Sequence, residues 1–270
     1  MNHSNIDILK KLDYLNPKSI DMSDEIKQAV IWAMDSLNDG TLKIVEKVSD
    51  EYIVNHWVKL AILLSFSIFD TKVIDCGESM AFDKFPSKFA NWNEKDFLNA
   101  KIRVVPGGFV RYSSFIDEGA ILMPSFINIG ARVGKNTMID TWSTIGSCAC
   151  IGDNVHISGG VGIGGVLEPL QANPVIIENG CFIGARSEIA EGVIVGEGAV
   201  ISMGCYIGKS TKIVDRETGD ISYGKIPKYS VVIPGAIESK NGLSTYCVLI
   251  VKKVDEQTRK KVSINDLLRV

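Results

Sequence analysis

Val133-Gly134-Lys135-Asn136-Thr137-Met138-Ile139-Asp140-Thr141-Trp142-Ser143-Thr144-Ile145-Gly146-Ser147-Cys148-Ala149-Cys150-Ile151 carries an aliphatic residue at every sixth position. Extended both ways, the spacing runs Phe109, Phe115, Ile121, Ile127, Val133, Ile139, Ile145, Ile151, Ile157 and Ile163. It resumes as Ile177, Ile183, Ile189, Val195, Ile201, Ile207 and Ile213. Four places after most of these stands a smaller residue, such as Ser113, Gly119, Ala131, Ser143, Cys181 and Ala199. Glycine often follows the aliphatic directly, at Gly134, Gly146, Gly152, Gly164, Gly184, Gly196 and Gly208.

A period of six suits neither an α-helix nor an alternating strand. It predicts short strands joined by tight turns, with some turn residues in unusual dihedrals and a narrow core of stacked aliphatics. The period fails over Gly164-Gly165-Val166-Leu167-Glu168-Pro169-Leu170-Gln171-Ala172-Asn173-Pro174. That stretch, within an excursion set at 164–176, is expected to leave the wall. Loops that interrupt a regular scaffold are usually functional.

Residues 1–100 carry no hexads and predict a mostly helical N-terminal domain. Ser23 is a helix N-cap, with Asp24 and Glu25 at the positive helix start and Ile26, Ala29, Val30 and Ala33 forming a stripe. Leu42–Val48 and Glu51–Val54 predict a hairpin, and Trp57–Phe69 a buried helix. The repeat domain is set at 101–235, with Ser230–Gly235 ending the stack. The tail, 236–270, is expected to hold a strand over Val248–Val254 after an Asn241-Gly242 turn, then a short helix over Asp255–Leu268.

Composition sets outer limits. With 46% hydrophobic and 23% charged residues the chain is that of an ordinary globular protein, and disorder is not expected. Net charge is -3, yet from Lys209 onward 12 Lys/Arg face 7 Asp/Glu, a bias that suits a polyanionic small ligand. The run Val58–Phe69 is too short for a membrane span, and Met1–Asp7 lacks a basic segment followed by an apolar one. Six cysteines without a CxxC pair point to a reduced, cytoplasmic protein; Cys148 and Cys150 are expected to be buried filler. Neither nucleic acid nor membrane is an expected partner.

The hexads resemble those of the hexapeptide-repeat transferases, in which three hexads make one coil of a left-handed parallel β-helix. That handedness comes from the resemblance, as does a count of about three coils before the break and two after it. Further strings narrow the likeness: Arg103-Val104-Val105-Pro106, Ile139-Asp140-Thr141-Trp142, Gly146-Ser147-Cys148-Ala149, Leu167-Glu168-Pro169-Leu170, Phe182-Ile183-Gly184-Ala185-Arg186-Ser187-Glu188, Asp215-Arg216-Glu217-Thr218-Gly219 and Ile250-Val251-Lys252-Lys253-Val254-Asp255. Together they resemble the tetrahydrodipicolinate N-succinyltransferases. Val105-Pro106-Gly107-Gly108 departs from that pattern in lacking a second proline.

The resemblance implies succinyl transfer from succinyl-CoA to the amine of 2-amino-6-oxopimelate, the hydrated open form of tetrahydrodipicolinate, in lysine biosynthesis. It implies a homotrimer with sites between subunits, so that two catalytic carboxylates can come from different chains, and no metal. An ammonium must lose a proton before attacking a thioester, and an oxyanion then develops, so the site needs a base and anion binders. Carried over by motif, Asp140 and Glu188 are the catalytic pair. Arg103, Asp140, Trp142, Arg186 and Ser187 are expected to bind the acceptor, since guanidinium suits carboxylates. Gly204, Lys225, Lys252 and Lys253 are candidate cofactor contacts: glycine admits pantetheine, lysines meet phosphates.

Other readings keep their place. A carbonic-anhydrase-like metal site needs three histidine ligands, and of His3, His56 and His156 only the last lies among the hexads. Acyl transfer with His156 as base is an alternative within the fold, since imidazole is the common general base. A non-catalytic scaffold is the rival of a different class. It has no need for Asp140, Arg186, Glu188 and the excursion together.

Overall fold

The computed structural model describes residues 3–13, 15–49, 51–77, 79–238 and 241–255. Nearly all of the helix expected over Asp255–Leu268 lies outside them.

From Arg103 onward, two-residue strands stack in parallel into three faces joined by corners. Face 1 holds Arg103–Val104, Ile121–Leu122, Met138–Ile139, His156–Ile157, Phe182–Ile183 and Val200–Ile201. Face 2 holds Phe109–Val110, Phe126–Ile127, Thr144–Ile145, Gly162–Ile163, Glu188–Ile189 and Tyr206–Ile207. Face 3 holds Phe115–Ile116, Arg132–Val133, Cys150–Ile151, Ile176–Ile177, Ile194–Val195 and Lys225–Ile226. The hexads thus build a mainly β, parallel β-helix, and the stack is longer than the expected three-plus-two coils because it starts at Arg103.

The second residue of each strand points inward. Val110, Ile116, Leu122, Ile127, Val133, Ile139, Ile145, Ile151, Ile157 and Ile163 are all at most 5% exposed. The expected inward residues Phe109, Phe115 and Ile121 therefore stand one place early and face outward. The cause is a single five-residue step, Leu122 to Ile127 through Pro124. Ile121 pairs with a residue 17 positions on, Met138, whereas Met138 pairs with one 18 on, His156. In an alternating strand one residue of slip exchanges the two faces.

The glycines after the aliphatics serve space rather than dihedrals. A Cβ on Gly134 would stand 2.5 Å from the backbone carbon of Gly152, and one on Gly196 would stand 2.7 Å from the Lys228 nitrogen. Neighbouring coils touch there. The positive-φ residues come two places later, at Asn136, Trp142, Cys148, Asn154, Arg186 and Gly198.

The N-terminal part packs α1 (His3–Leu12), α2 (Asp24–Asn38) and α3 (His56–Ile68) around a core of its own. Ser23 caps α2 by accepting from the Ile26 N–H, with Asp24 and Glu25 in the first turn. Two hairpins join these helices: β1 (Val45–Val48) with β2 (Glu51–Val54), and β3 (Lys72–Asp75) with β4 (Met80–Asp83). Helix α4 (Glu94–Ala100), held by an Asn93–Asp96 capping box, lays Phe97 and Ala100 on the first coil's core beside Phe89 and Trp92.

This N-terminal unit covers face 3 as far as the strand Ile194–Val195 and leaves Lys225 beyond it exposed. Tyr112 Oη donates to Asp35, Arg132 donates to the Gly40 carbonyl at 3.1 Å, and Lys47 donates to Glu178 at 2.8 Å. Ile129, Cys148 and Ile176 join its apolar core. Burial pushes the Cys148 thiol up to about 12, so it packs as inert filler.

At the other end Ser230–Glu238 supplies the last parallel rung. It extends face 1 and folds back as an antiparallel hairpin with Ser244–Lys253. The helix α3 is 13 residues, and no helix among the described residues is long and apolar enough to cross a membrane.

Candidate active site

With face 3 covered, the corner between faces 1 and 2 lies open, and most of the candidate residues stack along it. The Trp142 N–H donates to the Pro124 carbonyl at 2.6 Å, Gly160 N–H to Thr141 at 2.8 Å, Arg186 N–H to Gly159 at 3.1 Å and Gly204 N–H to Ala185 at 3.0 Å. Trp142, Gly160, Arg186 and Gly204 occupy equivalent corner positions, with φ of 60°, 66°, 59° and 71°. A bulky residue in that region costs about 1–2 kcal/mol. Trp142 and Arg186 bear this cost, as Cys148 and Asn154 do at the other corners, while Gly160 and Gly204 avoid it.

Asp140 enters the corner directly after the face 1 strand Met138–Ile139. Its Oδ1 accepts from the Thr141 N–H at 2.6 Å and the Thr141 hydroxyl at 3.2 Å. Among the described residues nothing bonds Oδ2. Trp142 beside it is 71% exposed, a large apolar surface open to solvent. Arg103 starts face 1, and its guanidinium reaches the corner one coil on, 4.0 Å from Met123 Sδ.

Arg186 and Glu188 stand two coils beyond Asp140, about 10 Å along the axis at the usual strand spacing. Both are exposed, and both lie over glycines of the coil between: Arg186 over Gly160, Glu188 over Gly162. Among the described residues no hydrogen bond or ion pair joins Asp140, Arg186 and Glu188. One chain thus presents two carboxylates, two guanidinium groups and an indole on one edge, none of them neutralised by another. Such a set can hold an anionic molecule and exchange a proton with it.

Ser187 does not belong to that set. It is fully buried; its hydroxyl donates to the Ser202 carbonyl at 3.0 Å and accepts from the Cys205 N–H at 3.1 Å. At an inward corner position its side chain ties two coils together. The string Ala185-Arg186-Ser187-Glu188 alternates outward and inward, which hid this.

The candidate cofactor contacts are dispersed. At Gly204 no atom stands within 4 Å of where a Cβ would be, so the corner is open to close approach. Lys225 is exposed on face 3, and Lys252 and Lys253 lie in the C-terminal hairpin. Lys253 is already paired with Asp215 at 2.6 Å; hydrogen bonding raises the lysine's pKa and lowers the aspartate's. These four residues do not form one cluster.

The excursion departs between faces 2 and 3, the next corner from the candidate residues. It is fastened to its own N-terminal unit: Lys59 Nζ donates to the carbonyls of Leu170 and Ala172, and His56 Nδ1 lies 2.8 Å from the Leu170 oxygen. His156 is on face 1, its ring 5.3 Å from Phe182, and among the described residues no carboxylate or carbonyl orients its imidazole. Sequence reasoning missed Gly160 and Gly162 in this site and Lys59 beneath the loop.

Comparison with known proteins identifies the family. A family model described as "Tetrahydrodipicolinate N-succinyltransferase N-terminal" matches residues 11–68, and "Hexapeptide repeat of succinyl-transferase" matches residues 174–209. A protein of Acinetobacter baylyi named 2,3,4,5-tetrahydropyridine-2,6-dicarboxylate N-succinyltransferase is 59% identical over 255 residues, 94% of this chain and 93% of that protein. Proteins of the same name are 55% identical in Idiomarina loihiensis, over 98% of this chain and 96% of that one, and 55% identical in Wolbachia sp. subsp. Brugia malayi, over 97% and 96%. With that identity spread over almost its whole length, the chain belongs to the family of 2,3,4,5-tetrahydropyridine-2,6-dicarboxylate N-succinyltransferases.

Proposed function

We infer that the chain is an N-succinyltransferase of the diaminopimelate route to lysine, moving the succinyl group of succinyl-CoA to the amine of 2-amino-6-oxopimelate. The observation that carries this reading is the gathering of Arg103, Asp140, Trp142, Arg186 and Glu188 along one open corner, in a chain 59% identical to a named succinyltransferase.

In this reading a carboxylate, Asp140 or Glu188, takes a proton from the acceptor ammonium. The freed amine nitrogen attacks the thioester carbonyl, the C–S bond breaks, the CoA thiolate leaves and takes up a proton, and an amide remains. Arg103 and Arg186 hold acceptor carboxylates, with Asp140 Oδ2 facing the same molecule and Trp142 walling it. Gly204 gives the pantetheine arm room, and Lys225 and Lys252 lie toward the phosphates. Lys253, committed to Asp215, is the weakest of these assignments.

The coils wind left-handed and three chains assemble, with sites between neighbours. Support for assembly is the apolar surface that face 2 and its corner leave uncovered: Phe109 and Phe126 stacked at 5.7 Å, Trp142, Met203 and Tyr206. In this reading the two carboxylates of one site come from different chains. The excursion, remote from the candidate residues in its own chain, then closes a neighbour's site. The protein works in the cytoplasm.

Purified protein given succinyl-CoA or acetyl-CoA with the open-chain acceptor, with thiol release followed, tests the reading. Succinyl transfer should dominate. Equal use of acetyl-CoA, or no turnover with either, overturns it; light scattering at the mass of a single 29.5 kDa chain overturns the trimer.

A further inference from the structure

Along face 2 the outward residues form a column: Phe109, Phe126, Thr144, Gly162, Glu188 and Tyr206. Five have side chains suited to a strand or to a ligand, and one has none. Glycine within a strand costs about 0.5–1 kcal/mol relative to alanine, so its presence asks for a reason. Backbone freedom is not that reason, because Gly162 is not among the residues with positive φ. Space is. A Cβ built on Gly162 would overlap the Glu188 carboxyl carbon and both of its oxygens. Gly162 is buried although it faces outward, because the Glu188 side chain lies on it.

Glu188 therefore does not project straight from the wall. It folds back across one coil, to the level of the strand Gly162–Ile163, and so toward the coil that carries Asp140. The corner next to it repeats the arrangement: a Cβ on Gly160 would stand 2.6 Å from Arg186 Nη1 and 2.7 Å from its Cδ. Two alternate residues of one coil, Gly160 and Gly162, vacate the places taken by two alternate residues of the next, Arg186 and Glu188.

We propose that Gly162 is a positioning residue for the acyl transfer, its missing side chain forming the notch that aims the Glu188 carboxylate. The proposal rests on the reading of Glu188 as an acid–base group. A methyl at 162 forces the carboxylate out of the notch, and a displacement of about 1 Å of a reacting group can cost up to a hundredfold in rate.

The test is a double-mutant cycle of Gly162→Ala and Glu188→Gln. Gly162→Ala should keep the assembly state and melt at the same or a higher temperature, since alanine suits this backbone. Its kcat should fall by about ten- to a hundredfold, with KM for both substrates within about threefold of the parent. Added to Glu188→Gln, the alanine should cost nothing more, because its effect runs through the carboxylate. If the two losses multiply, or if Gly162→Ala alone turns over within about twofold of the parent, the notch has no such role. If Glu188→Gln is itself fully active, the reading of Glu188 fails instead.

Discussion

The ammonium of Lys59, buried completely on α3, donates to the backbone carbonyls of Leu170 at 2.8 Å and Ala172 at 2.7 Å. A third carbonyl, of Pro169, lies at 3.4 Å. A buried charge is tolerated where oxygen atoms surround it, and burial lowers the pKa of this lysine. The excursion is thereby bolted to the N-terminal unit instead of hanging from the coil wall.

Lys59→Met removes the donor and leaves carbonyls unsatisfied, which costs about 1–3 kcal/mol. The variant should melt earlier, and limited proteolysis should cut within 164–175 faster than in the parent. An unchanged cleavage rate would mean that the loop holds its shape without the lysine.

Asp140→Asn and Glu188→Gln should each lower turnover by at least about a hundredfold, the lower scale for losing general acid–base catalysis. His156→Asn should cost far less, since its ring packs on Phe182 and, among the described residues, no carboxylate or carbonyl orients it as a base. All three variants should remain assembled. A dead His156→Asn beside active carboxylate variants would move the chemistry to the histidine.

Glu178 gives a pH signature of stability. Burial alone would raise its pKa, but hydrogen bonds from Lys47, Tyr52 and the Glu197 N–H outweigh that and hold it below the ordinary value of 4.5. A depressed carboxylate contributes stability above its unfolded pKa and loses it as pH falls through the folded one. Glu178→Gln should therefore be less stable than the parent at pH 7, by about 1.5–3 kcal/mol for a bond to a charged group. The gap should close in acid below about pH 4.5; denaturant titrations at several pH values measure it, and a gap that does not change with pH contradicts the assignment.

Ser187→Ala should leave both KM values unchanged and lower the melting temperature, because the hydroxyl bonds only backbone atoms of the next coil. The loss of stability should be about 1–3 kcal/mol, as for a buried group left without its partner. A raised KM for the acceptor would return Ser187 to the binding site.

The hexads were legible because the inward residue of each two-residue strand of the three faces is an aliphatic, whereas the inward corner places also take small residues such as Ser143 and Ser187. Their register was misread before Ile127, where Phe109 and Phe115 stand outward yet are apolar, and where Pro124 hides a five-residue step. Asp140 and Glu188 were reachable through the strings around them. Gly160 and Gly162 were not. Stacked residues normally lie 18 apart, as Thr144 and Gly162 do, but the excursion stretches Gly162 and Glu188 to 26 apart, so no periodic reading aligns them. Lys59 was unreadable for a related reason, since its partners are carbonyls and any residue supplies one.

In a stack of coils each turn touches only the turns directly above and below, so such a column can in principle fray from either end. Here the N-terminal unit runs alongside like a splint: it grips Tyr112 in the first coil, Arg132 in the second, Cys148 in the third, Glu178 after the fourth and Ile194 in the fifth. Rungs that have no direct contact are thus clamped to a common bar. Backbone amides from Tyr112 to Ile194 should exchange with deuterium as one cooperative block, while those of the hairpin Ser230–Glu238 with Ser244–Lys253, beyond the reach of the splint, should exchange sooner.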